Sequence, residues 1–346
     1  MPNLLVKFVL FIFVVLLNHA FANGQSADEY IKKANDEYRN GNYNQASELY
    51  DSAILAGDTK MVTLYNATCS HALAGNRDRA FELLEKIVDD GFMESDWLRK
   101  DEDLASLRDD EHWAKLMNTI TENRRKLEES FPMEHKIIKS IDLPEPALEG
   151  KVSVESAISD RRSRRSYAAE PLTIAEIGQV LWAAYGISQP IESGPEFLRG
   201  GLRTAPSAGA LYPLDIYLVA GEVEGLEPGI YLYDSRNHKL GLLKSGDIRK
   251  ELCNAGNGQL MIERAPATLV YSAIFSRTTG KYGDRGRERY VCMDIGHSAE
   301  NVYLQAEALG LGTCAVGAFN DLALKSVINM TRPEEPLYLM PLGRQK

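Results

Sequence analysis

Gly41-Asn-Tyr-Asn-Gln-Ala46, with Tyr50 and Ala53 beyond it, recurs as Gly75-Asn-Arg-Asp-Arg-Ala80, with Leu84 and Ile87 beyond it. Every matched position is displaced by the same 34 residues (75 − 41, 80 − 46, 87 − 53). A period of that length fits a pair of helices, with small residues where the two touch and a glycine at the turn between them. Two copies are fewer than the roughly three that such stacks need to be stable alone. The next stretch is therefore expected to close the unit. Gly91-Phe92 to Trp97-Leu98 and Asp101 to Asp109 supply it, and Trp113, Leu116 and Ile120 give one more apolar helical face. Ser26-x-x-Glu29 at the start has the form of a capping box, in which each side chain satisfies the other's backbone N–H.

The first 22 residues have a different character. Lys7 is a short positive region, Phe8 to Leu17 are ten consecutive apolar residues, and Ala20-Phe21-Ala22 is a small-x-small cleavage site. This is a secretory signal pattern, and its apolar run is too short to span a bilayer. The expectation is an exported protein, periplasmic or extracellular, cut after Ala22 and without a stable membrane span. The whole chain of 346 residues carries a net charge of −10. Loss of Lys7 would make that −11 (−10 − 1). Such a balance excludes nucleic acid as an electrostatic partner. The four cysteines show neither CxxC nor zinc spacing, and buried free thiols are expected.

Residues 23–130 thus form a helical module. Pro132, Pro144 and Pro146 then break the charged helix that runs through Arg124 to Glu129, so 131–150 is expected to be a linker. Residues 151–346 form the second domain. Ser153 to Asp160 looks helical, and Thr173-x-x-Glu176 is another capping box, opening a stripe of Ile174, Ile177, Leu181 and Ala184. Trp182 and Tyr185 belong to the core of that helix. Strands are expected at 215–220, 229–233, 267–273 and 337–342, and helices at 247–253 and 294–309, with a Gly/Pro/Ser-rich loop at 186–201. Elements mixed without regular βαβ alternation predict an α+β domain, a mixed sheet wrapped by helices. Gly310-Leu-Gly-Thr-Cys-Ala315 fits G-x-G-x-x-A, but a helix precedes it and a strand-like run follows, which is the wrong order for a dinucleotide fingerprint.

Two stretches carry chemistry. Arg161-Arg162-Ser163-Arg164-Arg165 concentrates positive charge at a helix end, and the planar arginine fork donates two hydrogen bonds at once to phosphate. Ala205-Pro206-Ser207-Ala208-Gly209-Ala210-Leu211-Tyr212-Pro213 puts four small residues between two prolines, which leaves backbone groups open to a flat ligand. With Pro228 to Asp234, Gly310 to Phe319 and the terminal Pro341-Leu-Gly-Arg344, these stretches resemble the flavin-dependent nitroreductase superfamily, in its branch of SagB-type azoline dehydrogenases. The resemblance covers about residues 150–346. The helical module in turn resembles tetratricopeptide repeats, which implies a docking surface for a protein partner or a structural extension.

The nitroreductase resemblance implies FMN as cofactor and a homodimer with the flavin at the subunit interface. Arg161, Arg162, Ser163 and Arg165 match phosphate and ring-edge contacts, and Arg344 a second phosphate or ribityl contact. Pro206, Ser207, Ala208 and Gly209 would lie along the ring. Ala315, Val316, Gly317 and Ala318 would cover N5 and the opposite edge, with Gln259 near the pyrimidine edge. Lys281 and Tyr282 match a Lys-Tyr pair of the azoline dehydrogenases, with Lys281 as a base if burial favours its neutral form. The activity implied is ping-pong hydride transfer through flavin N5 on a small-molecule or peptide substrate: a heterocycle or peptide dehydrogenase, or a nitro or quinone reductase. The alternative is an exported partner-binding scaffold with a catalytically silent flavin-fold domain. His238 and His297 are expected to be structural.

Overall fold

The computed structural model describes residues 26–346. The expected signal segment, 1–22, lies outside the described residues. The chain divides into two compact units between Glu129 and Ser130.

In the first unit, helices α1 (Ala27–Arg39), α2 (Tyr43–Leu55), α3 (Met61–Leu73) and α4 (Arg77–Asp89) form two hairpins. The second hairpin begins 34 residues after the first (61 − 27, 77 − 43). Gly41 and Gly75, at φ 78° and 80°, make the two turns in a conformation that L side chains seldom adopt. Ala46 and Ala80 are fully buried, so the helices approach closely at the equivalent points. Helix α5 (Ser95–Lys100), a 3₁₀ turn (Glu102–Leu107) and helix α6 (Glu111–Ser130) close the stack. Leu98, Leu104, Leu107, Leu116 and Ile120 join Leu64, Leu84 and Ile87 in one core. Burying a leucine stabilises by about 1.5–3 kcal/mol, so this closing segment supplies much of what two repeats lack.

The second unit comprises strand β1 (Lys139–Asp142), helix α7 (Val154–Asp160), β2 (Leu172–Thr173), α8 (Ile174–Tyr185), β3 (Ile187–Pro190), β4 (Gly201–Arg203), β5 (Leu214–Ala220), β6 (Val223–Glu224), β7 (Gly229–Asp234) and β8 (Lys239–Ser245). It continues with α9 (Arg249–Ala255), α10 (Leu260–Arg264), β9 (Ala267–Ala273), α11 (Ser276–Tyr282), α12 (Val291–Ala308), β10 (Leu311–Thr313), α13 (Asp321–Ile328) and β11 (Glu335–Arg344). Seven strands form one sheet in the order β1-β8-β7-β5-β9-β11-β10. Its pairings are antiparallel, and parallel pairing occurs at the margins, between β2 and β6 and at the Ser163–Thr313 bridge. Side chains alternate between faces, so Leu214, Ile216, Leu218 and Ala220 pack with α8 and α12 on one side. Tyr217, Val219 and Val270 pack with α9 and α13 on the other.

The expected linker at 131–150 is a correction. Its residues 139–142 are the edge strand β1, paired with β8, and Phe131 and Leu143 are buried. Prolines flank this edge strand instead of marking a free connection, as suits residues that cannot donate to a ladder. The 186–201 loop also contains structure, since β3 pairs with β4. All four cysteines are free, and Cys69, Cys253 and Cys314 are buried, but Cys292 is exposed. No helix among the described residues is long and apolar enough to cross a membrane.

Candidate functional site

Helix α12 organises the candidate site. Two turns of it hold the small-residue loop that follows β4. Asp294 accepts hydrogen bonds from Ser207 Oγ at 2.5 Å and from the Ala208 amide at 3.3 Å. The Ser207 oxygen in turn accepts from the Tyr212 amide at 3.0 Å, which folds the loop back on itself. His297 Nδ1 lies 3.4 Å from the Pro206 carbonyl, and Asn301 Nδ2 donates to the carbonyls of Thr204 and Ala183. Burial pushes the Asp294 carboxyl up from its ordinary value, against the hydrogen bonds from Ser207 and Ala208 that lower it.

Further along α12, Tyr303 serves a second set of residues. Its hydroxyl lies 3.1 Å from Ser163 Oγ and accepts from the Ala315 amide at 2.8 Å. Arg161 lies over the Tyr303 ring at 5.4 Å. Arg162 is exposed and donates only to its own helix end, at the carbonyls of Ser159 and Arg161. Arg165 is exposed and has no hydrogen-bond or ion-pair partner among the described residues. Arg164 differs, being paired with Glu307 at 3.3 Å. Three guanidiniums and a hydroxyl therefore remain for an anion. Val316 is held by a reciprocal backbone pair with Leu339, which leaves Gly317 and Ala318 exposed beside it.

The two catalytic candidates stand over the loop. Gly209 has φ +64°, and a Cβ there would lie 2.7 Å from the Tyr282 hydroxyl and 3.1 Å from Lys281 Nζ. Tyr282 packs edge-on against Tyr290 at 4.9 Å, and Lys281 lies 5.3 Å from the Tyr282 ring centroid. Between α11 and α12 the chain passes through a π-helical turn, Gly286–Tyr290, a feature often found at functional sites.

Several expectations change. Lys281 is exposed, so the burial invoked for its role as base is not provided by its own chain. Arg344 is not free for a phosphate: its guanidinium forms a two-pronged pair with Glu176 at 2.8 and 3.1 Å, and Glu170 lies 3.5 Å away. Glu176 is the carboxylate of the α8 capping box, so Arg344 completes that cap. Gln259, expected near the pyrimidine edge, has its amide nitrogen engaged within the chain, donating to the carbonyls of Gly256 and Ala318 and so pinning the 315–318 turn. Asp294, Asn301 and Tyr303 were not singled out as polar site residues. Their only signal in the sequence is a few polar groups interrupting the apolar stripe of a helix. His297, expected to be structural, does hold the loop.

The sequence matches the nitroreductase family over residues 158–344. The chain belongs to that family. Among nitroreductase relatives, a protein of Methanocaldococcus jannaschii named as a nitroreductase is 42% identical over 195 residues, covering 56% of this chain and 92% of that one. A trifolitoxin-processing protein of Rhizobium leguminosarum is 26% identical over 132 residues, 37% of this chain and 35% of its own. Crystal structures named as nitroreductases from Anabaena variabilis and Ralstonia eutropha superpose with TM-scores of 0.52 and 0.51 at 27% and 28% identity. They cover 60% and 62% of this chain, which spans 42% and 94% of theirs. Residues 27–129 match the N-terminal domain of an A/B hydrolase-like family, a match that includes nothing beyond that helical unit. The nitroreductase fold thus accounts for the sheet unit.

Proposed function

We propose that this nitroreductase-family chain is an exported, FMN-dependent oxidoreductase that works as a homodimer. One observation supports the reading above others: α12 holds the Pro206–Gly209 loop through Asp294 and the Ser163 and Ala315 segments through Tyr303. The residues fit the cofactor. Arg161, Arg162, Arg165 and Ser163 carry donors and charge for its phosphate, and among the described residues no carboxylate competes for Arg162 or Arg165. Pro206 to Gly209 offer a flat wall without large side chains, and beside Ala315 and Val316, whose amides are engaged by Tyr303 and Leu339, the exposed Gly317 and Ala318 offer backbone donors. When bound, FMN supplies reversible hydride transfer at N5.

The chain's own groups do the rest. Lys281 Nζ and the Tyr282 hydroxyl stand beside Gly209, where they would take the proton of a substrate C–H that is being oxidised. The cover that Lys281 lacks would come from the substrate or from the second copy. Dimer formation is supported by apolar side chains left at the surface: Val154 and Ile158 on α7, which packs on α12, and Met293 on α12 itself. Similarity to a trifolitoxin-processing protein supports the azoline-dehydrogenase branch and a peptide substrate. The hairpins of the first unit, with their tetratricopeptide-like period, would then dock that peptide or a partner protein.

Anaerobic titration tests the reading. A reductant, NADH first and dithionite second, is expected to bleach a flavin band at about 450 nm, and a nitroarene, quinone or peptide to restore it. Lys281→Met with Tyr282→Phe is expected to lower oxidation of a C–H substrate by about 10²–10⁴-fold with flavin content unchanged. A bound flavin that no donor reduces would instead favour the partner-binding scaffold.

A further inference from the structure

A cavity of about 390 Å³ lies in the sheet unit and is lined in part by Arg199 and Arg203. None of its lining residues is among those assigned to FMN. Arg203 is only 8% exposed. Its guanidinium lies 4.4 Å from the Tyr185 ring centroid and 5.0 Å from that of Tyr212. Its Nη1 donates to the Tyr185 carbonyl at 2.9 Å and to the Ser235 hydroxyl, which are neutral acceptors. Its Nε has no acceptor, and no carboxylate pairs with it among the described residues. Arg199, held at φ 49°, reaches Asp215 at 3.4 Å and the Tyr212 carbonyl, and its Nε is likewise without an acceptor.

Asp215, which reaches Arg199, is shared with Arg277 at 2.8 Å. Asp215 is thus engaged by Arg199 and Arg277, and Arg203 has no ion pair of its own among the described residues. The lining as a whole holds three guanidiniums (Arg199, Arg203, Arg236) and three carboxylates (Glu196, Asp215, Asp234), so what sets Arg203 apart is its lack of a paired carboxylate and not a net excess of charge. The Asp234 carboxylate is held in its own turn by the amides of Arg236 and Asn237 and by the Asn237 side chain. Arginine stays protonated when buried, and a buried charge lacking a counter-ion is costly. Burial is the largest influence on both Arg199 and Arg203, disfavouring their charged form. The remaining walls are apolar: Leu214, Ile216 and Leu232, with the ring of Tyr233.

We propose that this cavity binds a small organic acid, its carboxylate across Arg203 and Arg199 and its apolar body against Leu232 and Tyr233. The planar guanidinium fork suits a planar carboxylate, and no carboxylate among the described residues engages that of Arg203. The inference does not depend on the flavin reading.

Thermal unfolding of the full chain tests it, with sodium benzoate as probe against equal sodium chloride and equal benzamide. Benzoate at about ten times its dissociation constant is expected to raise the unfolding temperature of the sheet unit by about 3–6 °C, and benzamide and chloride not to. Arg203→Gln is expected to abolish the shift. Leu232→Trp, which fills the cavity and keeps both arginines, is expected to abolish it too and serves if the arginine variant does not fold. Equal responses of the unsubstituted protein to benzoate and benzamide, no response to either, or a benzoate shift that persists in Leu232→Trp would overturn the proposal.

Discussion

Two single residues carry the sharpest consequences. Glu334 is 1% exposed and is among the most heavily hydrogen-bonded carboxylates of the sheet unit. Its Oε1 accepts from Tyr217 and Ser272 at 2.6 Å each, and its Oε2 from His135 at 3.0 Å and from the Thr331 amide and hydroxyl at 2.8 and 2.6 Å. Burial raises this carboxyl, but the bonds from His135, Ser272, Thr331 and Tyr217 outweigh it and bring it down to about 2. A folded value below the ordinary one means that stability is present above about pH 4.5 and is lost as pH falls toward about 2. The amount is on the order of 3 kcal/mol. Glu334→Gln is thus expected to lower stability at pH 7 by about 3 kcal/mol and to flatten the acid limb of the curve, measured by urea unfolding across pH. An unchanged acid limb would refute the role given to this network. Gly209→Ala is the second case: the positive φ costs about 1–2 kcal/mol, and the new methyl group displaces Tyr282. Turnover is expected to fall about tenfold or more with the fold retained, by circular dichroism and steady-state rates. The loop at 205–213 was legible because its prolines and small residues are a local pattern. Glu334 and Asp294 were not, because a lone acid owes its importance to partners 60 to 200 positions away, such as His135 and Ser207.

At the scale of elements, the repeat was plain and the edge of the sheet was hidden. A 34-residue period requires only comparison of the chain with itself, and the hairpins follow it to the residue at Gly41 and Gly75. Ala46→Leu and Ala80→Leu should each overpack the same helix contact and lower the stability of the first unit by about 1–3 kcal/mol, read from its far-UV denaturation midpoint. If one site tolerates leucine freely, the two hairpins are not equivalent. The central strands β5, β7 and β9 were legible as continuous β-branched and aromatic runs, since both their faces are covered. Strand β1 was not. Lys-Ser-Ile-Asp has one half-buried residue and three exposed ones, so its pairing with β8 leaves almost no mark on the sequence. The reach of Arg344 was misjudged for a related reason: its motif identifies the residue, but its partner, Glu176, belongs to a cap 168 positions earlier.

For the whole molecule, the nitroreductase unit and the helical unit are each compact, and the central claim concerns what the former holds. The direct measurement is the visible spectrum and flavin content of the purified protein, unsubstituted and with Arg162→Ala plus Arg165→Ala. These two arginines are exposed and have no carboxylate partner among the described residues, so their loss should leave the fold intact while removing phosphate contacts. The account predicts FMN near one per chain, with absorption near about 450 nm, and at least a tenfold weaker retention in the double variant. A protein that remains colourless after incubation with FMN, or a double variant that holds FMN as tightly as the unsubstituted chain, would contradict it.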